Sequence, residues 1–145
     1  MKINTETHIT NSEDETRALG RKFADTLMGG TVILLEGDLG TGKTVFVRGV
    51  GEALGVTGVR SPSFTLINEY ESPSGFFVVH ADLYRLDPEG VNAIGLDEYA
   101  GSNDAVVFVE WPERWANPPV NSVRIFFRAL SENEREIKIE RAVSS

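Results

Sequence analysis

The sequence contains no cysteine. That excludes disulfides and thiolate metal centres, and it fits a reducing compartment. It also has no apolar run approaching the roughly 20 residues that a membrane helix needs. The opening stretch, MKINTETHIT, has no apolar core of the kind a secretory leader carries. The expectation is a cytoplasmic protein that does not enter a membrane. Positive charge is scarce: 14 Lys and Arg stand against 22 Asp and Glu, for a net charge of −8. Binding to naked nucleic acid rests on neutralising phosphates, so this balance argues against a large basic face, though not against a local basic patch. Internal repeats, low-complexity tracts and linkers are missing as well. The 145 residues are therefore read as a single domain, residues 1–145, long enough to bury a core.

What is present begins with Ser12-Glu13-Asp14-Glu15, a capping-box spelling with acidic residues at the positive end of a helix dipole. Leu19, Phe23 and Leu27 follow at every fourth position, predicting a helix over 13–28 that Gly29-Gly30 ends. Residues 31–36 (TVILLE) and 105–110 (AVVFVE) are short, continuous apolar runs, as expected of strands buried on both faces. A helix is predicted over 43–54, stopped at Gly55. Residues 60–64, interrupted by Pro62, read as a loop. Strands at 64–71 and 76–81 are joined by the turn 72–75, one or two helical turns fall within 88–99, and a polar-alternating hairpin over 123–128 and 134–141 closes the chain. This order predicts an α/β fold with a mixed, mostly parallel sheet and helices on both faces.

Between the first apolar run and the second helix stands Gly37-Asp38-Leu39-Gly40-Thr41-Gly42-Lys43-Thr44, a full match to G-x-x-x-x-G-K-[ST] between a strand and a helix. Glycines there let successive backbone N–H groups converge on a phosphate, and the helix N-terminus adds its partial positive charge. Lys43 is placed to reach the β- and γ-phosphates, and the Thr44 hydroxyl to ligate Mg²⁺. The candidate nucleotide cradle is thus Gly37, Leu39, Gly40, Thr41, Gly42, Lys43, Thr44 and Val45. The plainer alternative is a tight turn carrying an exposed lysine. No N-K-x-D sequence occurs, which removes the usual guanine-reading element and favours ATP over GTP.

Such a loop needs a carboxylate at the end of a neighbouring buried strand. Glu110 ends the 105–110 run and is the candidate metal-side acid, against the reading of an ordinary acidic strand end. Asp82 ends the 76–81 run and is the candidate for holding a metal-bound water or orienting an attacking one, against a role capping the next turn. His80 reads equally as a structural or a catalytic residue, and Arg85 as a phosphate or partner contact or a surface ion pair. Ser61-Pro62-Ser63 lies where switch loops sit, and a hydroxyl there can bind Mg²⁺ when a γ-phosphate is present. Asp87-Pro88-Glu89-Gly90 spells D-x-x-G by chance, because no buried strand precedes it. His8 receives no role.

The phosphate loop, the Ser61-Pro62-Ser63-Phe64-Thr65-Leu66 segment, His80-Ala81-Asp82-Leu83-Tyr84-Arg85-Leu86 and Val109-Glu110-Trp111-Pro112, in this order, resemble the TsaE family, formerly YjeE. That family is the bacterial ATPase of tRNA threonylcarbamoyladenosine biosynthesis. The resemblance covers nearly the whole chain and implies a compact P-loop fold with a seven-stranded sheet. It implies Mg²⁺-dependent ATP hydrolysis, weak alone and stimulated by the partner proteins TsaB and TsaD, with tRNA met mainly through that complex. Carried over residue by residue, it puts the Mg²⁺ ligands on Thr44 and Glu110, the functional aspartate on Asp82, and nucleotide contacts on Ser12 or Glu13 and near Arg135. Where the family usually has Thr in its switch, this chain has Ser63, which keeps the hydroxyl and loses the methyl. Two other readings share the loop: a small-molecule P-loop kinase and a non-hydrolysing, nucleotide-dependent scaffold.

Overall fold

The computed structural model describes residues 2–62 and 65–143. Seven strands form one sheet in the order β1-β7-β6-β2-β5-β4-β3. The elements are β1 (Lys2–Thr10), α1 (Glu13–Ala24), β2 (Val32–Glu36), α2 (Lys43–Ala53), β3 (Ile67–Glu71), β4 (Phe77–Asp82), α3 (Pro88–Ala93), α4 (Leu96–Ala100), β5 (Ala105–Glu110), a 3₁₀ turn (Pro112–Arg114), β6 (Val123–Ala129) and β7 (Arg135–Val143). The centre, β6-β2-β5-β4, is parallel. The flanks are antiparallel: β3 on β4, β7 on β6 and β1 on β7.

The continuous apolar runs lie at the centre because both faces of those strands are covered. Ile33, Leu34 and Leu35 of β2 have no exposed surface. Ile33 and Leu35 join Phe23, Phe46, Val47 and Val50 of α1 and α2. Leu34 turns the other way, into a cluster with Val91, Leu96 and Trp115. The alternation of one strand thus splits its side chains between two helical layers.

Helices α1 and α2 cross unusually closely. A Cβ at Gly20 would lie 2.2 Å from the Phe46 carbonyl oxygen, and one at Gly49 would lie 2.0 Å from that of Arg17. Both glycines therefore sit where only a hydrogen fits. The predicted cap is present, with the Ser12 hydroxyl accepting from the Glu15 N–H at 3.1 Å and the Glu15 carboxylate accepting from Asn11 N–H at 2.9 Å.

Three expectations change. The first helix ends at Ala24 rather than at 28, although Leu27 still packs on the core from the following turn. β3 starts at Ile67 rather than at 64. β1 was not anticipated: its nine residues pair with β7 from Lys2 opposite Val143 to Thr10 opposite Arg135. Among the described residues, no helix is long and apolar enough to cross a membrane.

Candidate functional site

Parallel strands that point their C-terminal ends the same way leave a crevice beyond those ends, where ligands of open α/β sheets collect. Here β2, β5 and β4 deliver three groups to that edge. β2 runs into the glycine-rich turn, β5 ends at Glu110, and β4 ends at Asp82, which lies directly opposite Glu110 in register. The adjoining cavity holds about 460 Å³.

The turn adopts the backbone that its glycines predict. Gly37, Gly40 and Gly42 have φ of 150°, 75° and 102°, a region that side chains rarely enter. At Gly37 a Cβ would also meet the Phe127 carbonyl at 2.6 Å. Thr41 donates its hydroxyl to the Asp38 carbonyl at 2.7 Å and is buried, so it braces the turn from inside. Gly42 caps α2 without any side-chain bond, which leaves the first N–H groups of that helix to other partners.

Lys43 is not the exposed lysine of the plainer reading. It is 5% exposed, donates to the Gly37 carbonyl at 2.5 Å, and sits 3.8 Å from Glu110 Oε1. Its ammonium also lies 5.1 Å from the centre of the Trp111 ring, within cation–π range. Trp111 holds a left-handed backbone, φ 58°, uncommon for a bulky residue and of the kind that collects at functional sites. Tyr84 packs against its ring with centroids 4.8 Å apart.

Glu110 is 5% exposed, and its other oxygen, Oε2, lies 2.6 Å from His80 Nε2. Asp82 accepts from the Tyr84 N–H at 3.0 Å. It therefore caps the next turn, as its structural alternative required, while also facing the cavity. Burial pushes the Asp82 carboxyl above the ordinary range, and the nearby Glu110 adds to the rise. The Tyr84 N–H, His80 and Lys43 pull the other way.

Leu39, Gly40, Gly42, Lys43, Thr44, Val45, Asp82, Glu110, Glu13 and Arg135 all line the cavity. Gly37 and Thr41 shape the turn from behind. Ser63 lies outside the described residues. Arg135 has much of its donor capacity engaged: it binds the carbonyls of Ser131, Glu132 and Glu134 and, at 3.2 Å, that of Gly40. It thus ties the β6–β7 hairpin to the loop. Reading the sequence missed Thr16, Glu132 and Asn133, which also line the cavity. No local signal marks them, because the tertiary fold alone brings α1 and the hairpin tip to this edge.

The donor set suits magnesium bound partly through a ligand. The described residues contain no group of three or more His, Cys, Asp or Glu side chains able to hold a metal. Magnesium keeps several waters and commonly takes only one or two carboxylates plus phosphate oxygens. Thr44 and Glu110, which both line the cavity, are the residues that could hold such an ion.

Fold and site together define an α/β domain built round a G-x-x-x-x-G-K-[ST] turn, with acids from two neighbouring parallel strands beside it. Within that class the chain belongs to the TsaE family. The family model, described as threonylcarbamoyl adenosine biosynthesis protein TsaE, matches residues 10–138. A protein of Nostoc sp. strain PCC 7120 named tRNA threonylcarbamoyladenosine biosynthesis protein TsaE is 39% identical over 144 residues, covering 96% of this chain and 88% of the relative. A protein of the same name from Aquifex aeolicus is 40% identical over 136 residues, covering 92% and 94%. The crystal structure of YdiB from Bacillus subtilis superposes with a TM-score of 0.79 at 32% identity, over 99% of this chain and 89% of that one.

Proposed function

We propose that this chain binds and hydrolyses ATP with Mg²⁺ as a subunit of the tRNA threonylcarbamoyladenosine system, acting with TsaB and TsaD in the cytoplasm. The relatives' names supply the process. The observation that carries the chemistry is Lys43, an ammonium buried under the glycine turn beside the Glu110 carboxylate. A lysine with only a structural role in a surface turn would keep its charge in water.

In this reading the N–H groups of the turn and of the first turn of α2 receive the phosphate oxygens. Lys43 leaves the Gly37 carbonyl to neutralise the β- and γ-phosphates. Thr44 and Glu110 hold Mg²⁺, which when bound neutralises charge building on the phosphates. Asp82, half-buried at the neighbouring strand end, orients the attacking water. Glu13 and Arg135 border the nucleotide from the helix cap and the hairpin. The modification reaches tRNA through the partner complex, which an acidic chain of net charge −8 permits without a basic face of its own.

Phosphate release by the purified chain, with and without TsaB–TsaD and tRNA, tests the proposal. Turnover is low alone, rises with the partners, and disappears in Lys43→Ala and Glu110→Ala. Unchanged turnover in both variants would refute the assignment.

A further inference from the structure

His80 has no exposed surface, and its Nε2 lies 2.6 Å from Glu110 Oε2. In register, His80 stands opposite Phe108 and Asp82 opposite Glu110, so the imidazole reaches along the sheet to the carboxylate one pleat further on. An ionised carboxylate only accepts, so Nε2 is the donor. The other ring nitrogen, Nδ1, is buried and has no hydrogen-bond partner among the described residues. A neutral ring protonated on Nε2 leaves only a lone pair there, whereas the opposite tautomer would bury an unpaired N–H and lose the bond to Glu110.

A residue kept only to fill this space would be apolar, because a buried, unpaired nitrogen costs free energy that a Leu or Phe does not incur. What the imidazole adds, among the described residues, is its bond to Glu110. That bond occupies Oε2 and leaves Oε1 turned toward Lys43, 3.8 Å away, at the cavity that Glu110 lines.

We infer that His80 is a positioning residue. By holding Glu110 through Oε2, it keeps Oε1 fixed in the direction from which a hard divalent cation is ligated beside the phosphate loop. This rests on the nucleotide–magnesium reading of the site. Partners that orient a ligating side chain typically change metal affinity 10- to 100-fold when removed.

The test is binding of a fluorescent N-methylanthraniloyl ATP analogue during titration with Mg²⁺, a readout independent of turnover. In His80→Leu the half-saturating Mg²⁺ rises about tenfold or more, while affinity measured in EDTA stays as in the unaltered chain. His80→Gln, whose amide N–H₂ can reach the position of Nε2, recovers most of the loss. His80→Asn, polar but too short, does not recover it, and it serves as the second variant if the leucine protein fails to fold. Circular dichroism and melting confirm that each variant is folded. A folded leucine or asparagine variant that follows the original Mg²⁺ curve overturns the positioning role, as does a glutamine variant no better than asparagine. If the unaltered chain binds the analogue with no response to Mg²⁺, the reading of the site falls first and the role of His80 falls with it.

Discussion

Asp82 is a residue whose environment changes its chemistry. Its carboxyl titrates above its ordinary value of 3.8 because burial disfavours the charged form. The folded protein therefore binds more protons than the unfolded chain in the window just above 3.8, and stability falls as pH rises through it. Above the window the full cost of an ionised, half-buried carboxylate is present; below it the cost is gone. Asp82→Asn removes that cost and keeps an acceptor for the Tyr84 N–H. Its melting midpoint should exceed that of the unaltered chain at about pH 7, with the gap narrowing toward about pH 4. Equal gaps at the two pH values would mean that the carboxylate is not strained by burial. The same variant should lose partner-stimulated phosphate release, which separates what this residue does for the fold from what it does for the reaction. The placement of Asp82 and Glu110 at neighbouring strand ends was legible in the sequence, because each closes an apolar run. The bond between His80 and Glu110 was not legible, because it depends on which strand lies beside β4 and in what register.

The strongest commitment among the elements is the crossing of α1 over α2. An alanine at Gly20 gains up to about 1 kcal/mol of helix propensity, but its methyl would stand 2.2 Å from the Phe46 carbonyl oxygen. That oxygen belongs to the helix backbone and cannot move without moving α2, so an overpacking cost of about 1–3 kcal/mol outweighs the gain. Gly20→Ala should lower the thermal midpoint by several degrees, and Gly49→Ala should do the same against Arg17. Because α2 begins at Lys43, a forced separation also displaces the loop. Weaker nucleotide binding should accompany the lower midpoint, measured with the same fluorescent analogue.

The element boundaries show where sequence reasoning stops. Buried strands and capped helices carry dense local signals, and β2, β5 and α2 appear where the apolar runs and glycines put them. β1 has the alternation of a strand, with β-branched Ile3, Thr5, Thr7 and Ile9 at every second position. Most of it is exposed, however, and no apolar face distinguishes it from a polar leader. The overshoot of α1 has the opposite cause: Leu27 continues the four-residue spacing and reaches the core, but from a turn after the helix has ended.

For the whole molecule, the proposed ATPase role makes nucleotide and partner binding thermodynamically reciprocal. If TsaB–TsaD raises the affinity for a non-hydrolysable ATP analogue by some factor, the analogue must raise the affinity for TsaB–TsaD by the same factor. Two titration calorimetry series, each with the other ligand present and absent, check this. Unequal factors would show that the states being compared are not the same.

The pairing of Lys2 with Val143 sets the order in which the sheet can be completed. Among the described residues β1 pairs with β7 alone in the sheet, so it stays without a strand partner until β7, far along the chain, has been made. Contacts so distant in sequence slow folding. Thr10, opposite Arg135 at the end of that pairing, shares a 2.7 Å hydrogen bond with Thr16, which lines the cavity. A nascent chain halted before β7 would carry the whole phosphate loop and still lack one wall of the site that the loop serves.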